Sequence, residues 1–283
     1  VCTIRDQRLD KISGIVAISS GYAVVNEGSG GRVYYLDNKC KVSKSISLTS
    51  RDPQDVTLAP DGTLWVADVG DKASTSSSHR EAIALWKIPK GSAEATIFRL
   101  SYPDGPHNAG ALLLAKDGTP IIITKDPGQA GVYTPTAALV AGKTVPMRKA
   151  GTFAVPKTTT NNLLGQPGRV TVTGGATAPD GSKVVLRTYA DAFEFDVTDN
   201  NVIEAITKGS PRITPLPEEP LGEAITYSAD GASFLTVSAV DEPKILRYTP
   251  STAAAKSEQA DSAKAPGSSN KQSWFDKLTL SDL

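Results

Sequence analysis

One short pattern recurs along this sequence and limits what it can fold into: an alternating apolar run, a turn centred on Asp-Gly, and a second, more apolar run. It is plainest in DVTLAPDGTLWVADVGD, from Asp55 to Asp71. Asp-Gly between two such runs is the strongest short-range hairpin signal, because a type I′ turn needs positive φ at both central residues and Asp and Gly tolerate it. The pattern returns as GALLLAKDGTPIIITKD (Gly110 to Asp126), GGATAPDGSKVVLRTY (Gly174 to Tyr189) and EAITYSADGASFLTVSA (Glu223 to Ala239), with a weaker first copy in GIVAISSGYAVVNEG (Gly14 to Gly28). The turn glycines Gly21, Gly62, Gly118, Gly181 and Gly231 are spaced by roughly 40 to 60 residues, the interval of four-stranded propeller blades.

Behind most of these hairpins lies a third strand: RVYYLD, IALWKIP, GVYTP, AFEFDV and KILRYTP. VSKSISL, ATIFRLSYP and NVIEAI read as fourth strands. Nothing between Val1 and Pro250 reads as the long amphipathic helix that a parallel α/β fold needs after nearly every strand. The expected fold is therefore all-β, a β-propeller over residues 1–250 with five blades, six being the alternative count.

A propeller must close its ring, and the last copy has only three strands before Pro250. CTIRD at the start of the chain supplies a candidate fourth. Cys2 lies on that segment and Cys40 ends the turn LDNKC of the first copy. A Cys2–Cys40 disulfide would fix the closing strand to the first blade and stabilise the fold by about 4 kcal/mol as loop-closure entropy. Two buried thiols are the alternative. A disulfide implies an oxidising, exported location.

Thirty basic and thirty acidic residues cancel, so no electrostatic field favours nucleic acid or an acidic membrane face. No run of 18 or more apolar residues crosses a bilayer. The first residue is Val rather than Met, which fits a product whose signal peptide has been removed. After Pro250 the composition changes. Residues 251–272 carry no apolar side chain larger than Ala and read as a flexible polar tether. Residues 273–283 restore bulk with Trp274, Phe275, Leu278 and Leu280, a partial helical face suited to an amphipathic or juxtamembrane anchor on a partner or membrane.

The strings CTIRDQRLDKISGIVA, DPQDVTLAPDGTLWVADVGD, LSYPDGP, GVYTP, VVLRTYADAFEFDV, GSPRITPLPEEPLGEAI and ILRYTP together resemble a family of exported actinobacterial propeller proteins. The resemblance covers Cys2 to Pro250. It implies a propeller, export through the plasma membrane, and often a membrane tether at one end, with no activity attached. It also implies acidic residues at the inner end of each blade's first strand. Eight residues before the turn glycines stand Ser13, Gln54, Gly110, Thr173 and Glu223, followed by Gly14, Asp55, Ala111, Gly174 and Ala224. Only Asp55 and Glu223 carry charge, where calcium wants six to eight oxygen ligands. No metal and no cofactor is expected.

His107, in YPDGPHNAG, is expected to share the channel mouth with Asp55 and Glu223, where it would serve as a general acid or base if the site were catalytic. Asp68, Asp71 and Arg80 form a second candidate set, either a cation or substrate loop or a turn braced by its own acids. Asp191 and Arg187 invite the same two readings. His79 sits in a serine-rich loop, and no Gly-x-Ser-x-Gly elbow, nucleotide loop or zinc spacing occurs. No catalytic residue is therefore assigned. The expected function is a non-enzymatic docking or accessory subunit of a membrane-associated envelope complex, with the actinobacterial respiratory cytochrome reductase-oxidase supercomplex as the specific candidate. The alternative is a secreted hydrolase or ligand-binding propeller that uses the channel mouth.

Overall fold

The computed structural model describes residues 1–27, 31–71, 79–217 and 219–253. The anchor residues Trp274, Phe275, Leu278 and Leu280, and the tether from 254 onward, lie outside the described residues.

After the short β1 (Cys2–Thr3), the chain runs through antiparallel meanders. The first comprises β2 (Ile12–Ile18), β3 (Gly21–Asn26), β4 (Arg32–Leu36) and β5 (Val42–Ser47). The second comprises β6 (Pro53–Leu58), β7 (Leu64–Asp68), β8 (Ile83–Ile88) and β9 (Thr96–Ser101), and the third β10 (Ala109–Leu114), β11 (Pro120–Thr124), β12 (Gln129–Pro135) and β13 (Thr144–Ala154). Helix α1 (Gln166–Val170) leads into the fourth, β14 (Val172–Thr177), β15 (Lys183–Thr188), β16 (Asp191–Asp196) and, after helix α2 (Val202–Lys208), β17 (Arg212–Pro215). The fifth holds β18 (Gly222–Tyr227), β19 (Phe234–Ser238) and β20 (Lys244–Tyr248), and β1 pairs antiparallel with β20 to complete it. Among the described residues each meander is a four-stranded unit, and the units lie in four sheets, the second and third sharing one of eight strands. Their first strands β2, β6, β10, β14 and β18 each pack against the next, and β18 returns to β2, so the units form a closed ring. The fold is an all-β propeller closed by the N-terminal strand.

Why the second runs are more apolar than an ordinary half-buried strand follows from the core. Among the described residues five clusters of buried apolar side chains occur, one at each junction between neighbouring units. Alternation sends successive side chains to opposite faces. Ile121 and Ile123 of β11 therefore pack toward the fourth unit, while Ile122 packs toward the second. A strand with a neighbour on each face is buried on both.

The hairpins differ from the expected type I′ geometry. The turn glycines have positive φ, for example +83° at Gly62 and +72° at Gly181, but Asp61, Asp117, Asp180 and Asp230 do not. Gly62 N donates to Ala59 O at 2.9 Å and Ala59 N to Thr63 O at 2.8 Å, a type I turn closed by a left-handed glycine. Each Asp instead turns back on its own loop. Asp61 accepts from Thr63 N, Asp117 from Thr119 N, Asp180 from Ser182 N and Asp230 from Ala232 N, at 2.8 to 3.1 Å.

NVIEAI, expected as a strand, is the start of α2. Asn201 caps it by accepting from Glu204 N, Asn201 Nδ2 donates back to Glu204 Oε2, and Lys208 pairs with Glu204 one turn on. Val202, Ala205 and Ile206, at helical spacing, are its buried face. The fourth strand of that unit is β17. A further departure joins the second and third units. β9 and β13 pair in parallel through Thr144 to Arg99, Val145 to Leu100 and Pro146 to Ser101, giving one eight-stranded sheet.

At the ring closure Cys2 and Cys40 are disulfide-bonded, with Cα atoms 5.9 Å apart. Val1 N also donates to Ile245 O at 2.6 Å and Ile4 N to Pro243 O at 2.8 Å. The disulfide is consistent with an extracytoplasmic location.

Candidate functional site

Every first strand carries a register shift at its N-terminal end, between Ile12 and Gly14, Pro53 and Asp55, Ala109 and Ala111, Val172 and Gly174, and Gly222 and Ala224. The inserted residues are Ser13, Gln54, Gly110, Thr173 and Glu223, the positions the sequence aligns eight residues before the turn glycines. A bulge re-aims its side chain and twists the strand. Here it turns Ser13 and Thr173 toward a neighbouring unit. Ser13 Oγ donates to Pro53 O at 2.7 Å and Thr173 Oγ1 to Gly222 O at 2.9 Å, each crossing to the next unit.

Beside two of the bulges the inner strands approach so closely that only glycine fits. A Cβ on Gly14 would lie 2.7 Å from Asp55 Cα, and one on Gly174 would lie 2.5 Å from Glu223 O. Asp55 occupies the axis itself, fully buried. Its Oδ1 accepts from Val56 N at 2.8 Å, and its Oδ2 from Leu112 N at 2.9 Å and Gly175 N at 3.3 Å, so one carboxyl ties together three units. Burial pushes the Asp55 pKa well above the usual carboxyl value, against the opposing pull of those three N–H donors.

A polar cluster lies beside it. Gln54 Nε2 donates to Glu27 Oε1 and Asp52 Oδ1, both at 2.7 Å. Glu223 accepts from Tyr189 OH at 2.8 Å and faces Lys125 Nζ at 3.4 Å. Lys125 lies against Gly110, where a Cβ would meet Val172 O at 2.6 Å and Lys125 Cε at 2.9 Å. Burial pulls the lysine pKa down, and the carboxylates of Glu223, Glu27 and Asp52 together outweigh it, leaving it above the ordinary value. Burial, reinforced by Glu223, raises Tyr189 well above the ordinary phenol value.

The expected grouping of His107 with Asp55 and Glu223 is not what forms. His107 Nε2 lies 3.1 Å from Asp104 Oδ1, its Nδ1 3.3 Å from Asp126 Oδ2, and Tyr133 OH stands 3.1 Å from Nε2. Tyr102, His107 and Tyr133 pack their rings against one another with centroids 4.9 to 5.2 Å apart. The consecutive pair Lys125 and Asp126 links this cluster to Glu223, one facing Glu223 and the other His107. Asp55 is separate because its oxygens are taken by backbone amides at the axis.

Asp68, Asp71 and Arg80 do converge, as a brace. Asp68 accepts from Asp52 N at 2.8 Å and Arg51 N at 3.1 Å and pairs with Arg80 Nη1 at 2.8 Å. Asp71 Oδ2 accepts from Arg80 N at 3.1 Å and faces His79 Nδ1 at 3.2 Å. Arg187 forms a wholly buried pair with Glu219 at 2.7 Å, and Asp191 accepts from Thr158 and Thr160 hydroxyls, each at 2.6 Å. Among the described residues no group of three or more His, Cys, Asp and Glu side chains is arranged to hold a metal ion, and no helix is long and apolar enough to cross a membrane.

The opposite ends of the inner strands, where the Asp-Gly hairpins lie, open into a funnel of about 720 Å3. Val16, Val56, Leu114, Ala176 and Tyr227 contribute to its wall, one from each unit. This opening lies at the other end of the inner strands from the expected channel mouth of Asp55 and Glu223.

No protein-family model and no curated protein matches the sequence. Solved structures do match. A luciferin-regenerating enzyme is 12% identical, with a TM-score of 0.48, over 86% of this chain and 78% of that one. The PQQ-bound aldose sugar dehydrogenase of Streptomyces coelicolor is 9% identical, with a TM-score of 0.44, over 88% and 96%. The Dos1 propeller is 12% identical, with a TM-score of 0.38, over 86% and 61%. Likeness at this level transfers neither activity nor ligand.

Proposed function

We propose that this chain is a non-enzymatic extracytoplasmic propeller that serves as a docking or accessory subunit of a membrane-associated envelope complex. The observation that carries the reading is how the chemistry-bearing side chains of the bulge end are used. Asp55 is bound by amides of three units, Glu223 by Lys125 and Tyr189, Asp68 by Arg80 and two amides, and His107 lies between Asp104 and Asp126. General acid-base or nucleophilic catalysis asks instead for a group poised toward a substrate. Here Asp55 and Glu223 tie units together, while Asp68 and His107 brace their own loops. The Cys2–Cys40 disulfide supports an oxidising compartment.

Within that reading, the resemblance to exported actinobacterial propellers favours the respiratory cytochrome reductase-oxidase supercomplex as the assembly, with segment 273–283 as its anchor. The test is affinity purification of the full chain from membranes in mild detergent, followed by mass spectrometry and a reduced-minus-oxidised haem spectrum. The expected result is co-purified cytochrome subunits, lost when the chain is cut after Pro250. A full chain that elutes alone, or a truncated one that holds its complex equally well, would refute the assignment.

A further inference from the structure

The funnel at the hairpin end is a concavity that the docking role does not use. Its volume, about 720 Å3, falls in the range of small-molecule sites, which combine apolar walls with a few placed polar groups. Val56 and Leu114 are among the residues that line it, while the Thr177 hydroxyl on its wall is turned onto Leu114 O at 3.2 Å.

The charged side chains that line the opening are mostly positive. Lys44, Lys90 and Lys116 line the opening, from three different units. Lys44 Nζ is held 4.3 Å from the centre of the Tyr35 ring, itself part of the lining. The Lys90 stem lies across Gly62, where a Cβ would meet its Cδ at 2.7 Å. Among the described lining residues the one acid is Asp180. Its Oδ1 accepts from Ser182 N at 3.0 Å and Ser182 Oγ at 2.7 Å, and those bonds hold its pKa below the usual carboxyl value. An apolar hollow beneath three cations complements a ligand with an apolar body and an anionic head.

From this juxtaposition we infer that the funnel is a binding site for a single-chain amphipathic carboxylate, its chain against Val56 and Leu114 and its head among Lys44, Lys90 and Lys116. The inference stands independently of the docking role.

The probe is dodecanoate, titrated calorimetrically below its micelle concentration into the full chain, with dodecyltrimethylammonium as the same chain bearing the opposite head. Dodecanoate is expected to bind saturably at one site and the ammonium analogue to bind more weakly. The triple variant Lys44→Glu, Lys90→Glu, Lys116→Glu should weaken dodecanoate by about tenfold or more, the factor that 1.4 kcal/mol carries. A second variant, Ala229→Trp, places bulk at an exposed lining position without touching the core, and should also weaken binding while leaving circular dichroism unchanged. No saturable dodecanoate binding by wild type, equal affinity for both heads, or affinity unchanged in both variants would overturn the inference. Retention on phosphatidylglycerol vesicles without binding of monomeric dodecanoate would overturn it too.

Discussion

The two ends of the same inner strands are built on opposite principles. At the bulge end the chain spends its polar residues on itself: Asp55, Gln54, Glu223 and Lys125 bond across units, and Gly14 and Gly174 let backbones touch. At the hairpin end the acids are also occupied, but each by its own turn, so neighbouring units are not drawn together and the ring stays open as a funnel. The lesson is that an acid's reach, across units or within its own loop, decides whether the channel closes. Substitutions should therefore be costly at one end and tolerated at the other.

The largest expected effect is at the axis. Asp55→Ala removes the acceptor for Leu112 N and Gly175 N where water has little access, and leaving two buried donors unpaired should lower stability by about 4 kcal/mol. Urea unfolding measures it, and a loss below about 1 kcal/mol would mean the axis is wet.

The same residue supplies a pH test. A carboxyl whose folded pKa is raised takes up a proton on folding, so its contribution is most favourable below the unfolded value, about 3.9, and declines as pH rises through the folded one. The stability of wild type relative to Asp55→Asn should therefore fall as pH rises through that window. A difference that is flat or rises would contradict the burial of Asp55.

Next is Lys125→Met, which leaves Glu223 buried with Tyr189 alone and should cost roughly 3 kcal/mol. At the hairpin end Gly62→Ala forces a side chain into positive φ, for about 1 to 2 kcal/mol. Smallest of all, Ala229→Trp at the exposed funnel rim should change stability by less than about 0.5 kcal/mol. If Ala229→Trp proved as costly as Lys125→Met, the contrast between the ends would fail.

Much of the architecture was legible because Asp-Gly and its glycine carry a local mechanism. Turn position, strand pairing and the ring of bulge residues all follow from it, and Cys2 with Cys40 marked the closure. The turn type was misjudged because Asp tolerates positive φ without needing it, and here prefers to accept its own loop's amide. NVIEAI forms a helix rather than the expected strand, and Asn201 with Glu204, a capping pair, is a signal of it present in the sequence. The partners at the bulge end were less legible. Lys125, Glu27 and Tyr189 arrive from loops of other strands, and proximity between loops leaves no periodic trace. Gly110 was the available clue: in a ring otherwise filled by side chains, a missing one implies that something else fills the gap. The funnel was not legible as a site because the turns at its rim carry the signal of a hairpin and not of a ligand, and its deeper walls are ordinary strand residues.

Whether the bulge end is sealed and structural is tested without any substitution by amide hydrogen exchange. Leu112 N and Gly175 N donate to Asp55 at the axis, so their exchange should require global unfolding, with protection matching the most protected core amides. Exchange of these two amides by local opening, orders of magnitude faster than the core, would show a solvated channel reaching Asp55 and would contradict the account.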